Sequence, residues 1–210
     1  MIDLYTFGTP NGRKASIMLE ETGLEYVVHS IDIMKDEQFA PDFIEISPNN
    51  KIPAIVDHDN GMSLMESGAI LLYLADKTGQ LLSTKAKQRW QTIEWLMWQM
   101  GGLGPMAGQS HHFAQFNKGI SDYAEKRYVD EVHRLYGVLD KQLENREFIV
   151  EEYSIADIAT WPWVSRYEWQ QVDLKQFPHV QRWYQQIAKR PAVQKGYHIP
   201  AFISEVPPGD

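Results

Sequence analysis

Two stretches of the chain combine residue types that suit the binding of a small acidic peptide. Residues 49–57 read Asn-Asn-Lys-Ile-Pro-Ala-Ile-Val-Asp, a turn-prone pair followed by a proline that opens a short apolar strand. An extended peptide can pair with the backbone beside Pro53 as an added strand. Residues 64–70 end a second strand and begin a helix, for which Ser67 is the predicted N-cap. The N-terminus of that helix suits a carboxylate, because its backbone N–H groups are unpaired and it carries partial positive charge.

The elements that position these stretches form an α/β layer. Strands are predicted where apolar and polar residues alternate or β-branched residues gather, and helices where apolar residues recur at helical spacing. Asn60-Gly61 predicts a hairpin between the third and fourth strands. The resulting order β-α-β-α-β-β-α predicts a mixed sheet. The elements are predicted at residues 2–7, 13–22, 26–31, 39–46, 53–57, 62–65 and 67–77.

Beyond this half the pattern is helical. Composition and periodicity change over residues 79–85, which we interpret as a linker between an α/β domain over residues 1–78 and an all-helical domain over residues 86–210. The first helix of the second domain has a predicted apolar stripe and is interrupted by Gly101-Gly102-Leu103-Gly104-Pro105. Ser154 and Asp157 predict a capped helix start, and the tail beyond Pro191 is predicted to be irregular. The stripe consists of Trp90, Ile93, Leu96 and Met97, and the helices are predicted over residues 86–100, 121–143, from 154 and over 179–188.

The composition restricts the possible functions. A net charge of -8 and the lack of a basic run argue against nucleic-acid binding. No apolar stretch is long enough to span a bilayer, and the first residues show no signal-peptide pattern, so we expect a cytoplasmic protein that does not bind membranes. The chain has no cysteine, which excludes a disulfide framework, a thiolate metal site and a protein thiol as nucleophile.

Several of these motifs resemble those of a glutathione transferase, over about residues 1–195. Three segments are similar to features shared widely in that superfamily: Ile52-Pro53, Glu66-Ser67 and the cap at residues 154–157. More specific segments resemble the nu class, bacterial disulfide-bond reductases related to a fungal nitrogen-regulatory protein. The resemblance implies a thioredoxin-like N-terminal domain with a mixed four-stranded sheet, an all-α C-terminal domain and a homodimer. The specific segments are residues 9–12, 47–53, 99–106 and 109–113.

The resemblance also implies how glutathione would bind. Pro53 matches the family's cis-proline, which leaves the Ile52 backbone to pair with the cysteinyl part of glutathione. Glu66 matches the residue that binds the γ-glutamyl ammonium group. Ser67, with the helix N-terminus, matches the binding site of the γ-glutamyl carboxylate.

Three further residues are implied at the edges of the site. Gln38 and Lys51 match positions that line the glycyl side and the backbone of the peptide. Arg127 matches an arginine that contacts a second glutathione moiety, from its own or from the neighbouring subunit. As a surface residue, Arg127 is equally explained as a solvated or interface charge.

Thr9 and Asn11 are the predicted catalytic residues. Only a thiolate attacks a disulfide, and a chain without cysteine must take that thiolate from bound glutathione. Lowering the thiol pKa by about two units takes about 2.7 kcal/mol. One hydrogen bond to a charged group contributes about 1.5–3 kcal/mol, and a helix N-terminus about 0.3–1 kcal/mol. The Thr9 hydroxyl, the Asn11 amide and the helix start after Gly12 therefore suffice, and Tyr5 is given no catalytic role.

Each of these motifs has a plainer interpretation when taken alone. Thr-Pro-Asn-Gly is a common turn, and Glu66-Ser67 is a common helix cap. His111-His112 is not predicted to bind a metal, because adjacent histidines on a helix point apart and lack partner ligands. Trp163 and Trp169 either belong to the core or line a substrate wall.

We therefore expect a glutathione-dependent disulfide-bond reductase. Its cofactor would be glutathione, as two molecules or as glutathione disulfide, with no metal, and its substrate a small disulfide or electrophile. One alternative is conjugation of glutathione to small electrophiles, which predicts faster turnover of an aryl halide than of a disulfide. The other is a non-catalytic regulatory or binding module on the same scaffold, which predicts no turnover.

Overall fold

A mixed four-stranded sheet forms the centre of the N-terminal part of the molecule. The computed structural model describes residues 1–210. The strands are β1 (Ile2–Thr6), β2 (Tyr26–Ser30), β3 (Ala54–Asp57) and β4 (Met62–Met65), in the spatial order β2-β1-β3-β4. β1 and β2 are parallel, whereas β1 with β3 and β3 with β4 are antiparallel. The predicted mixed sheet is confirmed.

Three helices belong to this layer: α1 (Pro10–Thr22), α2 (Pro41–Ile46) and α3 (Ser67–Thr78). α1 begins three residues before its predicted start, because Pro10 occupies the first turn behind the Thr9 N-cap. It ends at Gly23, which adopts the left-handed conformation. Between β2 and α2 the chain makes two short 3₁₀ turns, Ile33–Lys35 and Glu37–Phe39.

The chain divides into two compact units that do not follow sequence order. The first unit contains residues 1–82 and 189–206, and the second contains residues 83–188 and 207–210. The predicted domain boundaries, with one domain over residues 1–78, a linker over 79–85 and a helical domain over 86–210, stay a proposal. The inclusion of residues 189–206 in the first unit has a specific cause, an additional helix.

That helix is α9 (Pro191–Tyr197), in the stretch predicted to be irregular, so this prediction was wrong. Pro191 occupies the first turn of α9 and so begins a helix there. α9 packs on α1, where the Ser16 hydroxyl donates to the Gly196 carbonyl at 2.7 Å and Arg13 Nε donates to the Tyr197 carbonyl at 3.1 Å. A helix of seven residues has little stability of its own, so this packing holds it.

We expect Gly196→Ala to destabilise the first unit. A Cβ at this position would lie 2.7 Å from Ile17 Cα and 2.8 Å from Ile17 N, which are backbone atoms and cannot turn aside. The free energy of unfolding in urea should fall by about 1–3 kcal/mol, as for other overpacked sites. Gly137→Ala is the matched control, because no atom lies within 4 Å of its Cβ and alanine favours the helix. A Gly196→Ala protein as stable as wild type would contradict the close packing of α9 on α1.

The second unit is helical throughout. A long helical stretch begins with α4 (Ala86–Trp98) and continues through a π-helical turn, Gln99–Leu103, into α5 (Gly104–Ser110) and a second π-helical turn, His111–Phe116. The predicted interruption at residues 101–105 is thus a widened turn within a continuing helix. The unit also contains α6 (Asp122–Leu143), α7 (Ile155–Val164) and α8 (Pro178–Ala188). No helix of the chain combines the length and apolar character needed to cross a bilayer.

A capped start of α7 and an apolar stripe on α4 were both predicted for this unit. The capping box at α7 is confirmed, since the Asp157 carboxylate accepts from the Ser154 N–H at 3.0 Å and the Ser154 hydroxyl accepts from Ala156 N at 3.3 Å. The apolar stripe of α4 is buried only in part. Leu96 is buried, but Trp90 is 67% exposed and Met97 is 48% exposed. Periodicity placed these side chains on one face without showing that the face is covered within the chain.

Candidate active site

Three segments that carry the predicted site residues lie at the same edge of the sheet. Tyr5 near the end of β1 is opposite Ala54 at the start of β3, and Ala54 is opposite Met65 at the end of β4. The loop before α1, the proline before β3 and the turn into α3 therefore converge. Residues 9–12, Pro53 and Glu66 belong to these segments, so the fold brings them together.

The loop between β1 and α1 presents Thr9 as a hydrogen-bond donor. Thr9 Oγ1 accepts from the Gly12 N–H at 3.2 Å, and the Thr9 carbonyl accepts from Arg13 N at 3.0 Å. Because the oxygen of this hydroxyl already accepts a bond, its hydrogen is the part available for a ligand sulfur. Thr9 and Asn11 are both partly exposed, so a ligand can reach them.

Gly12 allows this loop to lie close to the end of β1. A Cβ there would be 2.1 Å from the Phe7 carbonyl oxygen and 2.6 Å from Thr6 Oγ1, so no other residue fits without moving the backbone. The loop is thus held against the strand by a close approach that only glycine permits. The same approach keeps the Thr9 hydroxyl and the N-terminus of α1 at the edge of the sheet.

The Ile52–Pro53 peptide bond is cis, as the resemblance implies. Pro53 is buried and Ile52 is half-buried. The ladder of β3 begins at Ala54, so Ile52 stands outside the hydrogen bonding of the sheet. Its backbone lies at the edge where an extended peptide could be added.

The start of α3 differs from the prediction in one respect. Ser67 is the first residue of the helix, and Glu66 occupies the N-cap position, without a capping hydrogen bond from its side chain. Glu66 has a φ of 70° and a ψ of 112°, a conformation that costs a residue with a side chain about 1–3 kcal/mol. The Glu66 side chain is exposed, whereas Ser67 is 4% exposed. This geometry places a carboxylate beside a helix N-terminus, a pair of opposite charges that matches the head group of an α-amino acid.

Lys14 is a charged residue at this site that the sequence reasoning missed. It is 1% exposed, and its Nζ donates to Ser67 Oγ at 3.3 Å. Burial lowers the pKa of the Lys14 ammonium group to about 7, and the Glu66 carboxylate opposes this shift only in part. The available signal was its spacing, since Lys14 lies three and four residues before Ile17 and Met18 on the buried face of α1.

Two side-chain oxygens in the segment between β2 and β3 are buried without a hydrogen-bond partner in the protein. One is Gln38 Oε1, in the second 3₁₀ turn, and the other is Asn50 Oδ1. Asn50, which the sequence reasoning also missed, has a φ of 54° and precedes Lys51, an exposed residue. Buried acceptors of this kind require a donor, and peptide N–H groups of a ligand would supply one.

Arg127 lies on α6 in the second unit and lines a groove of about 620 Å³. Its charged neighbours are paired with each other: Lys126 Nζ contacts Asp130 at 2.5 Å, and Arg134 binds Glu131 through two hydrogen bonds of 2.7 and 2.8 Å. Arg127 forms no ion pair of this kind, although the bound Arg134, with a smaller effect of the Arg127 charge, lowers the pKa of the Glu131 carboxyl in the same groove.

The histidine pair lies in the second unit, on the π-helical turn that follows α5. The chain contains no group of three or more His, Cys, Asp or Glu side chains placed to hold a metal ion. His111 is buried and stacks on Trp163 at 5.6 Å between ring centroids. Gln170 Nε2 donates to His111 Nε2 at 3.2 Å and to the Trp163 carbonyl at 2.8 Å, while Gln170 Oε1 accepts from the Tyr136 hydroxyl. In this network His111 Nε2 accepts, so the imidazole is neutral.

We expect His111 to make folding sensitive to acid. Burial, with the charge of Arg166, lowers the His111 pKa to about 4, whereas an unfolded histidine titrates near 6.5. Between these values the unfolded chain binds more protons, so the free energy of unfolding should fall by up to about 3 kcal/mol as pH drops from about 6.5 to 4. Urea denaturation should show a shallower pH dependence for His111→Gln. The control is His112→Gln, at an exposed neighbouring position, which should keep the wild-type dependence of unfolding free energy on pH. The same pH dependence in wild type and both variants would contradict the prediction.

Comparison with known proteins finds relatives over most of the chain. Two family models match, Glutathione S-transferase, N-terminal domain, over residues 2–76, and Glutathione S-transferase, C-terminal domain, over residues 106–191. The chain is 54% identical over 198 residues to the disulfide-bond oxidoreductase YfcG of Escherichia coli, covering 91% of this chain and 92% of that protein.

Two solved structures are similar as well. One is a glutathione transferase from Pseudomonas putida with one glutathione disulfide bound per subunit. Its sequence is 51% identical, its TM-score is 0.92, and the match covers 95% of this chain and 92% of that chain. The other, from Burkholderia graminis, has two glutathione molecules bound per subunit; it is 47% identical with a TM-score of 0.90, and the covered shares are 95% and 88%.

Proposed function

This chain belongs to the glutathione S-transferase family, and from that premise we propose that it is an enzyme that reduces disulfide bonds with glutathione. One observation carries the proposal: a chain without any cysteine is 54% identical to a disulfide-bond oxidoreductase. The reacting sulfur must then come from a bound thiol. Glutathione is that thiol, and it is a substrate that the reaction consumes.

The reaction proceeds in two exchanges. A glutathione thiolate attacks one sulfur of the substrate disulfide; the S–S bond breaks, a mixed disulfide with glutathione forms, and the departing thiolate takes up a proton. A second glutathione thiolate attacks the glutathione sulfur of the mixed disulfide and releases the other substrate thiol. Two glutathione molecules lose two electrons and become glutathione disulfide, while the substrate disulfide gains them.

The residues at the edge of the sheet take the following roles. Thr9 and Asn11 donate hydrogen bonds to the sulfur and keep it ionised, with help from the N-terminus of α1. The Ile52 backbone beside cis-Pro53 binds the cysteinyl part, and Glu66 with Ser67 binds the γ-glutamyl head group. Gln38 and Lys51 line the glycyl side, and Arg127 contacts the second glutathione moiety. Two observations support these assignments. Thr9 Oγ1 accepts from the Gly12 N–H, which leaves the hydroxyl hydrogen to donate to the sulfur, and Gln38 Oε1 is buried without a hydrogen-bond partner in the protein.

The finer classification is also part of the proposal. The motifs at residues 9–12 and 99–106 support the nu class. Exposed apolar side chains on α4, Trp90 and Met97, support a homodimer. A cytoplasmic location would supply the enzyme with the reduced glutathione that it consumes.

Steady-state kinetics with glutathione and two co-substrates test the proposal. We expect turnover of bis(2-hydroxyethyl) disulfide to exceed turnover of a chlorodinitrobenzene by at least about tenfold at equal concentrations, because disulfide exchange uses a site for two glutathione moieties and conjugation uses only one. Faster conjugation of the aryl halide would make the protein a conventional transferase. Absence of both activities would favour a binding or regulatory module.

A further inference from the structure

Two irregular turns of the second unit meet around the ring of Trp169. The π-helical turn that ends at Phe116 packs on the 3₁₀ turn Tyr167–Gln170. The Trp169 ring lies nearly perpendicular to the His111 ring and to the Phe116 ring, in each case at 5.5 Å between ring centroids. Arg166 covers the face of the same indole, with its guanidinium carbon 4.5 Å from the ring centroid.

The π-helical geometry brings two of these rings to one side. His111 and Phe116 are five positions apart, and in a regular α-helix such residues point about 140° away from each other. In this turn the backbone bonds instead join residues five apart, as from the Asn117 N–H to the His112 carbonyl at 2.9 Å, so residues five apart share a face. Widened turns of this kind are frequent at functional sites. Here the turn builds an aromatic surface around Trp169.

Arg166 is a cation without a carboxylate beside it. Its side chain is only partly exposed, and its Nε is buried without a hydrogen-bond partner in the protein. No acidic side chain of the chain forms an ion pair with it. Its charge acts instead on His111, whose protonation it opposes. Withdrawing a charge from water is unfavourable unless an opposite charge pairs with it, so this position favours a bound anion.

We propose that Arg166, Trp169 and Phe116 form a binding site for a small aromatic carboxylate. The site lies within the second unit, and the inference does not rest on the proposed reaction with glutathione. The carboxylate would accept two parallel hydrogen bonds from the terminal nitrogens of the guanidinium, whose fork matches the two carboxylate oxygens.

The aromatic part of the ligand would pack on Phe116. This side chain is 64% exposed although it contacts Trp169, so much of its ring is open to a ligand. Aromatic rings in offset or edge-to-face contact attract each other beyond the effect of the area that they bury. The Arg166 guanidinium and the Phe116 ring centre both lie within 5.5 Å of the Trp169 ring centre, so a two-ring ligand is long enough to contact both. An amine of the same shape would meet Arg166 with like charge and be rejected.

Nuclear magnetic resonance with 2-naphthoate tests the site. The seven tryptophans give seven indole N–H signals, and the signal missing from Trp169→Phe identifies Trp169. In wild type we expect 2-naphthoate to shift this signal with a Kd of about 1 mM or lower, as suits a ligand of that size. 2-Naphthylmethanol has the same rings without the charge and should bind at least about tenfold more weakly. A Trp169 signal that 2-naphthoate does not shift would overturn the inference, as would equal affinity for the two compounds.

An arginine variant tests which cation binds the carboxylate. Arg166→Gln removes the charge and should reduce the preference for 2-naphthoate over 2-naphthylmethanol to about threefold or less. Arg146→Gln is the matched control, because Arg146 is an exposed arginine of the same unit, and it should keep the wild-type preference. A wild-type preference in Arg166→Gln would overturn the assignment of the carboxylate to Arg166.

A second variant keeps the test decisive if Arg166→Gln does not fold. Phe116 is exposed, so Phe116→Ala should fold, and it should weaken binding of both compounds by about fivefold while keeping the preference for the carboxylate. Unchanged binding of both compounds to Phe116→Ala would contradict the inference. None of these measurements involves glutathione or turnover, so their outcome is independent of the proposed function.

Discussion

Replacing Thr9 with valine should lower kcat/KM for disulfide reduction by about 10- to 150-fold. Valine has nearly the same shape but lacks the hydroxyl, and a hydrogen bond to a charged sulfur contributes about 1.5–3 kcal/mol. The Thr9 oxygen already accepts from the Gly12 N–H, so the variant removes both the donor that we propose for the sulfur and the N-cap of α1. Asn11→Ala should lower the rate in the same direction.

Thr9→Ser separates these two effects. Serine keeps the hydroxyl and is as good an N-cap, so it should retain most of the activity. The thiol pKa of bound glutathione, followed by the ultraviolet absorbance of the thiolate, should rise by about one to two units in Thr9→Val and remain near the wild-type value in Thr9→Ser. An unchanged thiol pKa in the valine variant would show that Thr9 does not hold the sulfur.

Replacing Glu66 with glutamine should raise the KM for glutathione by about 10- to 100-fold and change kcat much less. The carboxylate is assigned to the γ-glutamyl ammonium group, which is remote from the reacting sulfur, so its loss weakens ground state and transition state alike. Glutamine keeps the size of the side chain and removes only its charge. A fall in kcat at constant KM would contradict this assignment.

Glu66→Gly is the informative companion variant. At a φ of 70°, glycine avoids the strain that glutamate bears, so this variant should bind glutathione poorly yet unfold at higher urea concentration than Glu66→Gln. A difference of about 1 kcal/mol in the free energy of unfolding is expected. That result would show that the strain at the start of α3 is retained for binding, in keeping with a trade-off between stability and function.

Features fixed by neighbouring residues were predictable from the sequence. The cap formed by Ser154 and Asp157 depends on side chains three positions apart, and the structure contains both of its hydrogen bonds. The mixed sheet likewise followed from the alternation within each strand and from the hairpin signal at Asn60-Gly61.

Features decided by distant packing were not predictable in this way. α9 is stable only against α1, through the close approach at Gly196, and Pro191 alone favours either the end or the start of a helix. Lys14 was overlooked because a lysine in an amphipathic helix normally faces water. For Trp90, helical spacing predicts which face of α4 the side chain lies on. Whether that face is buried depends on what packs against it, which the spacing does not show.

The packing of α9 on α1 has a consequence for synthesis of the chain. Ribosomes release the polypeptide from its N-terminus, so the first 82 residues emerge long before residues 189–206, which complete the same compact unit. During that interval the surface of α1 that α9 will cover, including Ile17, remains uncovered, while the intervening helical unit is being made. The sheet-bearing unit should therefore reach its final protection against proteolysis only after residues 189–206 have left the exit tunnel.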